Sequence, residues 1–233
     1  MNARTIAIVS ACLAASLAVA APAPDTDLSV KGAWSLNNWT SKDDVQLTLT
    51  YRNGSNRWQW STGQQLADLA GLSKDQLHAM STPAEFTLKR DSGVFFFKGT
   101  IMLGVGKGEY AFLPDPTYAE KLSAMGYADV STSNASLMFM AVREISLEYA
   151  AEVKRLGIAN LSLRDLERFM DHGIDLDFLR ELVAAGYPGL TGDDIVRLRD
   201  HGIDGAYVAR VQASGFTNLT VEQIVRLHDH GVD

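Results

Sequence analysis

Cysteine is almost missing from this chain: Cys12 is the only one in 233 residues. It lies in an N-terminal stretch, MNARTIAIVSACLAASLAVAAPAPD, that has the form of a secretory signal. Arg4 gives a thin positive start, residues 6–19 are apolar, and Ala18-Val19-Ala20 fits the small-x-small cleavage rule. Cleavage after Ala20 leaves no cysteine at all, which excludes disulfides, thiolate ligands and a cysteine nucleophile. Export without disulfides fits a bacterial envelope, periplasmic or secreted. The alternative is a lipoprotein anchored through Cys12, since Val9-Ser10-Ala11 approximates a lipidation box; the residues after Cys12 stay apolar, which speaks against it. The apolar run is also shorter than the roughly 20 residues of a membrane span, and Pro22 and Pro24 close it.

Positive charge is scarce as well. With 21 Lys and Arg against 28 Asp and Glu the net charge is −7, which excludes a sequence-independent nucleic-acid footprint and an electrostatic membrane anchor. Catalytic signatures are absent too. The glycines of GVGKGEY, Gly104 to Tyr110, suggest a phosphate loop, but that loop's spacing needs a glycine at Ile101 and a hydroxyl at Gly108. Glycines of a tight hairpin are the better reading. Outside the C-terminal half the only histidine is His78, and no serine or carboxylate pair stands in a recognisable motif. The expectation is a non-enzymatic protein with no cofactor and no metal.

What the chain has is pattern. Residues 32–114 alternate apolar and polar with period two: residues 45–51, a turn at Arg52-Asn53-Gly54-Ser55, then Arg57-Trp58-Gln59-Trp60. Asn-Gly between alternating runs predicts a hairpin. Residues 86–89, 94–97, 100–103 and 110–112 predict a meander of three or four strands, with a turn at Asp91-Ser92-Gly93. Between these parts, residues 63–70 and 73–80 carry helical spacing, with Ser73 as a cap. All four tryptophans, Trp34, Trp39, Trp58 and Trp60, fall in this half. Trp58 and Trp60 share one face of a strand. They read first as core filling for a small sheet and alternatively as a stacking platform, with Asp91, Glu109 or Asp115 as polar groups.

The C-terminal half repeats with a period of 29: His172, His201 and His230; Gly157, Gly186 and Gly215; Leu161, Leu190 and Leu219; Arg168, Arg197 and Arg226. Tyr149, Phe178 and Tyr207 hold the same phase, as do Ile158, Tyr187 and Phe216. Each unit predicts two short helices, the first stopping at its glycine and the second opening on Ser162, Thr191 or Thr220. Three residues on stand Asp165, Asp194 and Gln223, at capping-box spacing. The second helix ends in Asp-His-Gly, where glycine supplies the left-handed residue and histidine lies on the negative end of the dipole. Asp171, Asp200 and Asp229 stand three residues after Arg168, Arg197 and Arg226 and are expected to pair with them across one turn. Equivalent residues of stacked helices lie roughly 8–10 Å apart, too far to share one metal ion. The Asp-His-Gly sets therefore read as scaffold.

A degenerate unit precedes the three. Tyr118 stands eight residues before Gly126, as Tyr149 does before Gly157, and its second helix, residues 137–142, is apolar nearly all round. Such a helix is buried, which places it between sheet and repeats. The sequence thus divides into a signal (1–20), a linker (21–31), a β-rich domain (32–114), a degenerate junction (115–145) and three helical hairpin repeats (146–233). The fold class is α+β: an antiparallel sheet with a short helical insertion, then a short α-helical solenoid. Five Asn-x-Ser/Thr sequons, at Asn38, Asn53, Asn134, Asn160 and Asn218, read as coincidental.

The repeat part, from Tyr118 on, with its LRDHGI-type ends, resembles tails of uncharacterised exported bacterial proteins and of some membrane metallopeptidases of the β-lactam-sensor type. The resemblance implies an envelope signalling or interaction context. It brings no catalytic residue, because the HExxH zinc motif of those peptidases is absent here. The expected function is a protein–protein interaction or envelope signalling module with a protein or peptide partner. Its expected partner surface is the row of Arg168, Arg197 and Arg226 with Asp171, Asp200 and Asp229. The alternative is a small-ligand or carbohydrate binder built on Trp58 and Trp60.

Overall fold

A computed structural model describes residues 29–38, 44–128, 130–158, 160–186 and 189–232. The signal segment, Cys12, Trp39, Tyr187 and Asp233 lie outside the described residues. The fold is α+β. Strands β1 (Val30–Asn37), β2 (Asp44–Asn53), β3 (Asn56–Gln65), β4 (Leu69–Ala70), β5 (Thr82–Arg90), β6 (Gly93–Met102) and β7 (Val105–Pro114) form one seven-stranded antiparallel sheet. Its order is β3-β2-β1-β7-β6-β5-β4, so the β2–β3 hairpin extends one side of β1 and the β5–β6–β7 meander the other. The Asn53-Gly54 signal makes the first hairpin, with Asn53 opposite Asn56 and Gly54 at φ 60°.

Two expectations for this half are corrected. Residues 63–70 are not a helix: they continue β3, make a single 3-10 turn at Leu66–Asp68, and end as β4, whose Leu69 pairs with Leu88. An apolar spacing of three arises as readily from strand, turn and strand as from a helix, and burial of Leu69 on the sheet decides it. Residues 100–103 are not a separate strand, because β6 runs unbroken to Met102. The one helix of the insertion is α1 (Lys74–His78), which Ser73 and Gln76 close in a reciprocal capping box.

The glycines of the β6–β7 hairpin do more than turn it. Leu103 and Gly104 form a two-residue loop with both φ positive, at 47° and 80°, the primed-turn geometry that matches strand twist. Gly106 and Gly99, however, lie under the indole of Trp34: a Cβ on either would stand 2.8 Å from a ring carbon. Trp34 is 2% exposed, meets Phe86 edge-on at 5.1 Å, and donates from Nε1 to the Lys98 carbonyl at 3.2 Å.

Among the described residues eight helices follow, each of nine residues: α2 (Pro116–Ala124), α3 (Asn134–Val142), α4 (Leu147–Arg155), α5 (Leu163–Asp171), α6 (Leu176–Ala184), α7 (Gly192–Asp200), α8 (Gly205–Ala213) and α9 (Val221–Asp229). They stack in two rows, α2-α4-α6-α8 and α5-α7-α9, while α3 packs on β1, β6 and β7. Leu137, Met138, Met140 and Ala141 of α3 are buried, and Phe139 closes on Tyr51, Trp58 and Trp60. One continuous apolar core therefore runs from Val30 to Val225. Among the described residues no helix is long and apolar enough to cross a membrane.

Local chemistry sets the helix ends. Ser162 with Asp165, Thr191 with Asp194 and Thr220 with Gln223 form capping boxes, and Ser146, Asp175 and Asp204 cap the alternate helices. At the other end Gly173, Gly202 and Gly231 are left-handed, with φ of 65°, 70° and 70°. Beyond them the Ile174, Ile203 and Val232 amides reach back to the carbonyls of Phe169, Leu198 and Leu227. That six-to-one bond with an apolar residue after the glycine is the Schellman closure.

A tyrosine tether locks most units. The hydroxyls of Tyr118, Tyr149 and Tyr207 donate to the carbonyls of Ile145, Ile174 and Val232, tying a unit's first helix to its own closing residue. Phe178 breaks the series, having no hydroxyl to offer Ile203. Tyr149→Phe should destabilise by about 1–2 kcal/mol, since it strips a buried carbonyl of its donor, and Phe178→Tyr should restore about 1 kcal/mol. Urea unfolding of the two variants checks this; equal stabilities of wild type and Tyr149→Phe would show that the tether does not matter.

Candidate interaction surface

The Arg–Asp row is braced mainly across units. Arg168 and Asp171 do not pair, which corrects the expectation. Arg168 reaches Asp193 of the next second helix at 2.6 Å and Asp165 of its own at 3.5 Å; Arg197 likewise reaches Glu222 at 2.5 Å, and Arg226 bonds Glu222 at 3.1 Å. The aspartates point the other way. Asp171 accepts from Arg143 Nε at 2.9 Å, Asp200 meets His172 Nδ1 at 2.6 Å, and Asp229 meets His201 Nδ1 at 3.1 Å. The physical reason is the stacking of α5, α7 and α9 side by side. It brings the last-turn carboxylate of one helix against the last-turn imidazole of the helix before it. The hydrogen bond from His201, more than its charge or that of His228, holds the Asp229 carboxyl below its ordinary range. Among the described residues no group of three His, Cys, Asp or Glu is arranged to hold a metal ion.

The degenerate unit departs from the others where they end. Val142-Arg143-Glu144-Ile145 stands in place of Asp-His-Gly-Ile, so Glu144 takes the left-handed position with φ 58°. A glutamate there costs about 1–2 kcal/mol of backbone strain relative to glycine. Its carboxylate explains its presence. Glu144 Oε1 accepts from Arg90 Nη2 at 2.7 Å and from Gln64 Nε2 at 2.9 Å, and Arg90 also donates to Gln64 at 2.6 Å. Gln64 is 4% exposed, and Arg90 Nε is buried with no partner. Glu144 thus clamps the end of α3 to β3 and β5. Glu144→Ala keeps the strain and loses the clamp, whereas Glu144→Gly loses the clamp and relieves the strain. The glycine variant should therefore be the more stable of the two by about 1 kcal/mol, measured by urea unfolding.

Two recesses open on either side of Glu144. One, about 490 Å³, lies between the end of β3 and Arg90, with Asp44, Gln65 and Asp68 on its wall. The other, about 470 Å³, is a groove between the N-terminal turns of α4 and α6, floored by Tyr149, Met170 and Leu176. At the edge of this groove Arg180 pairs with Asp177 of its own helix at 2.9 Å and joins α6 to α4 through Glu152 at 3.0 Å. Hydrogen bonds from Arg155 and then Arg180 hold Glu152 down at about 2.

Trp58 and Trp60 are partly buried, with Phe139 5.9 and 5.0 Å from their rings and Tyr51 stacked on Trp58 at 5.5 Å. The polar groups expected beside them are dispersed. Asp91 accepts from the Leu147 amide, Asp115 caps α2 through Thr117, and Glu109 stands on β7 in register with Lys98. Comparison with protein-family models, with curated proteins and with solved structures finds no match for this chain.

The groove residues were not singled out in the sequence. The available signal was the glutamate at the one unit boundary where the others carry glycine.

Proposed function

We propose that this chain is a non-enzymatic exported protein whose helical repeats form an interaction or envelope signalling module for a protein or peptide partner. The observation that carries the reading is the cross-unit bracing. Successive units are joined by Arg143–Asp171, His172–Asp200 and His201–Asp229 on one side and by Arg180–Glu152 on the other. Two rows of short helices held in register make an extended preformed surface, the form in which solenoids bind partners. The bracing also gives the recurring charged residues a role inside the molecule, so the docking surface is sought away from the Arg–Asp row. Export rests on the form of residues 1–20, and the envelope setting on the resemblance of the LRDHGI-type repeat ends.

Photo-cross-linking in the full-length protein tests the reading. Cross-linkers at the exposed repeat positions Ala151, Ala184 and Ala209 should give discrete adducts in envelope preparations, and those at Gln59, Glu85 and Lys107 of the sheet should not. Adducts confined to the sheet positions would instead favour the ligand-binding reading built on Trp58 and Trp60.

A further inference from the structure

The groove between α4 and α6 has a definite chemistry. Its floor is apolar: Tyr149 is 7% exposed, and Met170 and Leu176 are partly buried against the core. Its rim is acidic, with Glu144, Glu148, Asp175 and Asp177 beside Arg180. Arg180 is already engaged by Asp177 and Glu152, while Glu148 is exposed and meets no cation within ion-pair distance among the described residues. The N-termini of α4 and α6 each add about half a positive charge. Glu144 is already held by Arg90 at 2.7 Å, so four carboxylates, two guanidiniums and two helix ends leave the groove at a net charge of about −1.

We infer that this groove docks a cationic, amphipathic peptide segment: an apolar side chain on the Tyr149–Met170–Leu176 floor, flanked by Lys or Arg on the acidic rim. Charge complementarity selects the occupant. An anionic ligand meets four carboxylates, and a purely apolar segment would cover Glu148 without supplying it a partner, which is costly. A segment with cations beside its anchor satisfies floor and rim together, and it is drawn in faster at low salt. The inference rests on the interaction-module reading and adds to it the place and the kind of partner.

The test uses the full-length protein and two labelled decapeptides, one alternating Lys with Leu and the other Glu with Leu, read by fluorescence anisotropy. The Lys–Leu peptide should bind saturably and the Glu–Leu peptide at least about tenfold more weakly, as expected for rim-charge complementarity. Glu148→Lys with Asp177→Lys should weaken Lys–Leu binding about tenfold or more. Glu109→Lys with Glu120→Lys makes the same change of net charge elsewhere and should weaken it less than about twofold. Glu148→Gln, which disturbs no ion pair, should weaken it about threefold and covers the case in which the double variant fails to fold. Equal binding of the two peptides, or equal weakening by the groove and distant variants, overturns the groove assignment. If that happens while adducts still form from Ala151, Ala184 and Ala209, the module reading stands and only the groove falls. Failure of both experiments removes both.

Discussion

Raising the pH above about 10, where tyrosine ordinarily ionises, is expected to unfold this protein cooperatively. Burial pushes the phenols of Tyr110, Tyr118 and Tyr149 far above their ordinary range and raises Tyr127 to about 12. Desolvation is the first cause in each, joined by Tyr51 for Tyr110, by Asp91 and Glu167 for Tyr118, and by Tyr127 and Asp175 for Tyr149. The sign follows from proton counting. Below the unfolded value both states hold these protons and stability is complete. Above it the unfolded chain releases protons that the folded chain keeps, so stability falls with pH. Each phenol steepens the loss by about 1.4 kcal/mol per pH unit, and four together by about 5. A domain stable by about 5–15 kcal/mol is then lost within about one to three units. Phenolate absorbance and far-ultraviolet ellipticity, followed together, check this. The phenolate signal of these four tyrosines should appear only as ellipticity disappears. Complete phenolate formation with the helices intact would contradict their burial.

The second large effect is expected at Trp34. Trp34→Ala removes an indole that fills the space left by Gly99 and Gly106 and touches Phe86 and Phe97. The cavity should cost about 3–5 kcal/mol, because glycine neighbours have no side chains with which to collapse into it. For a chain of this size that lowers the Tm by about 6–20 °C. The core is continuous from the sheet into the repeats, so the helical signal should melt at the lowered temperature too. A repeat part that kept its original Tm in Trp34→Ala would show that the α3 junction does not couple the halves.

The repeats were legible because each unit announces its own ends. Ser162, Thr191 and Thr220 carry capping chemistry within three residues, and the terminal glycines are needed for a left-handed backbone; both signals are local. Asn53-Gly54 is local in the same way. The partners of Arg168 and Asp171 were not legible, because register within one helix says nothing about which neighbour a long side chain reaches. Arg168 finds Asp193 25 residues away, and Asp200 finds His172 across 28. Gly106, under Trp34, reads as a turn residue until the sheet order brings β1 beside β7. Among the candidate sites, the sequence singled out Trp58 and Trp60 but held no sign that Phe139 of α3 would close over them. Glu144 was visible only as a missing glycine. Its meaning depends on Arg90 and Gln64, which belong to the other half of the chain.

Hydrogen exchange of the full-length protein with and without saturating Lys–Leu peptide tests the central functional claim most directly. Docking in the groove predicts slowed exchange in the first turns of α4 and α6 and unchanged exchange in β2 and β3. Slowed exchange in β2 and β3, with α4 and α6 unchanged, would place binding on the tryptophan-bearing sheet and contradict a binding site in the repeats.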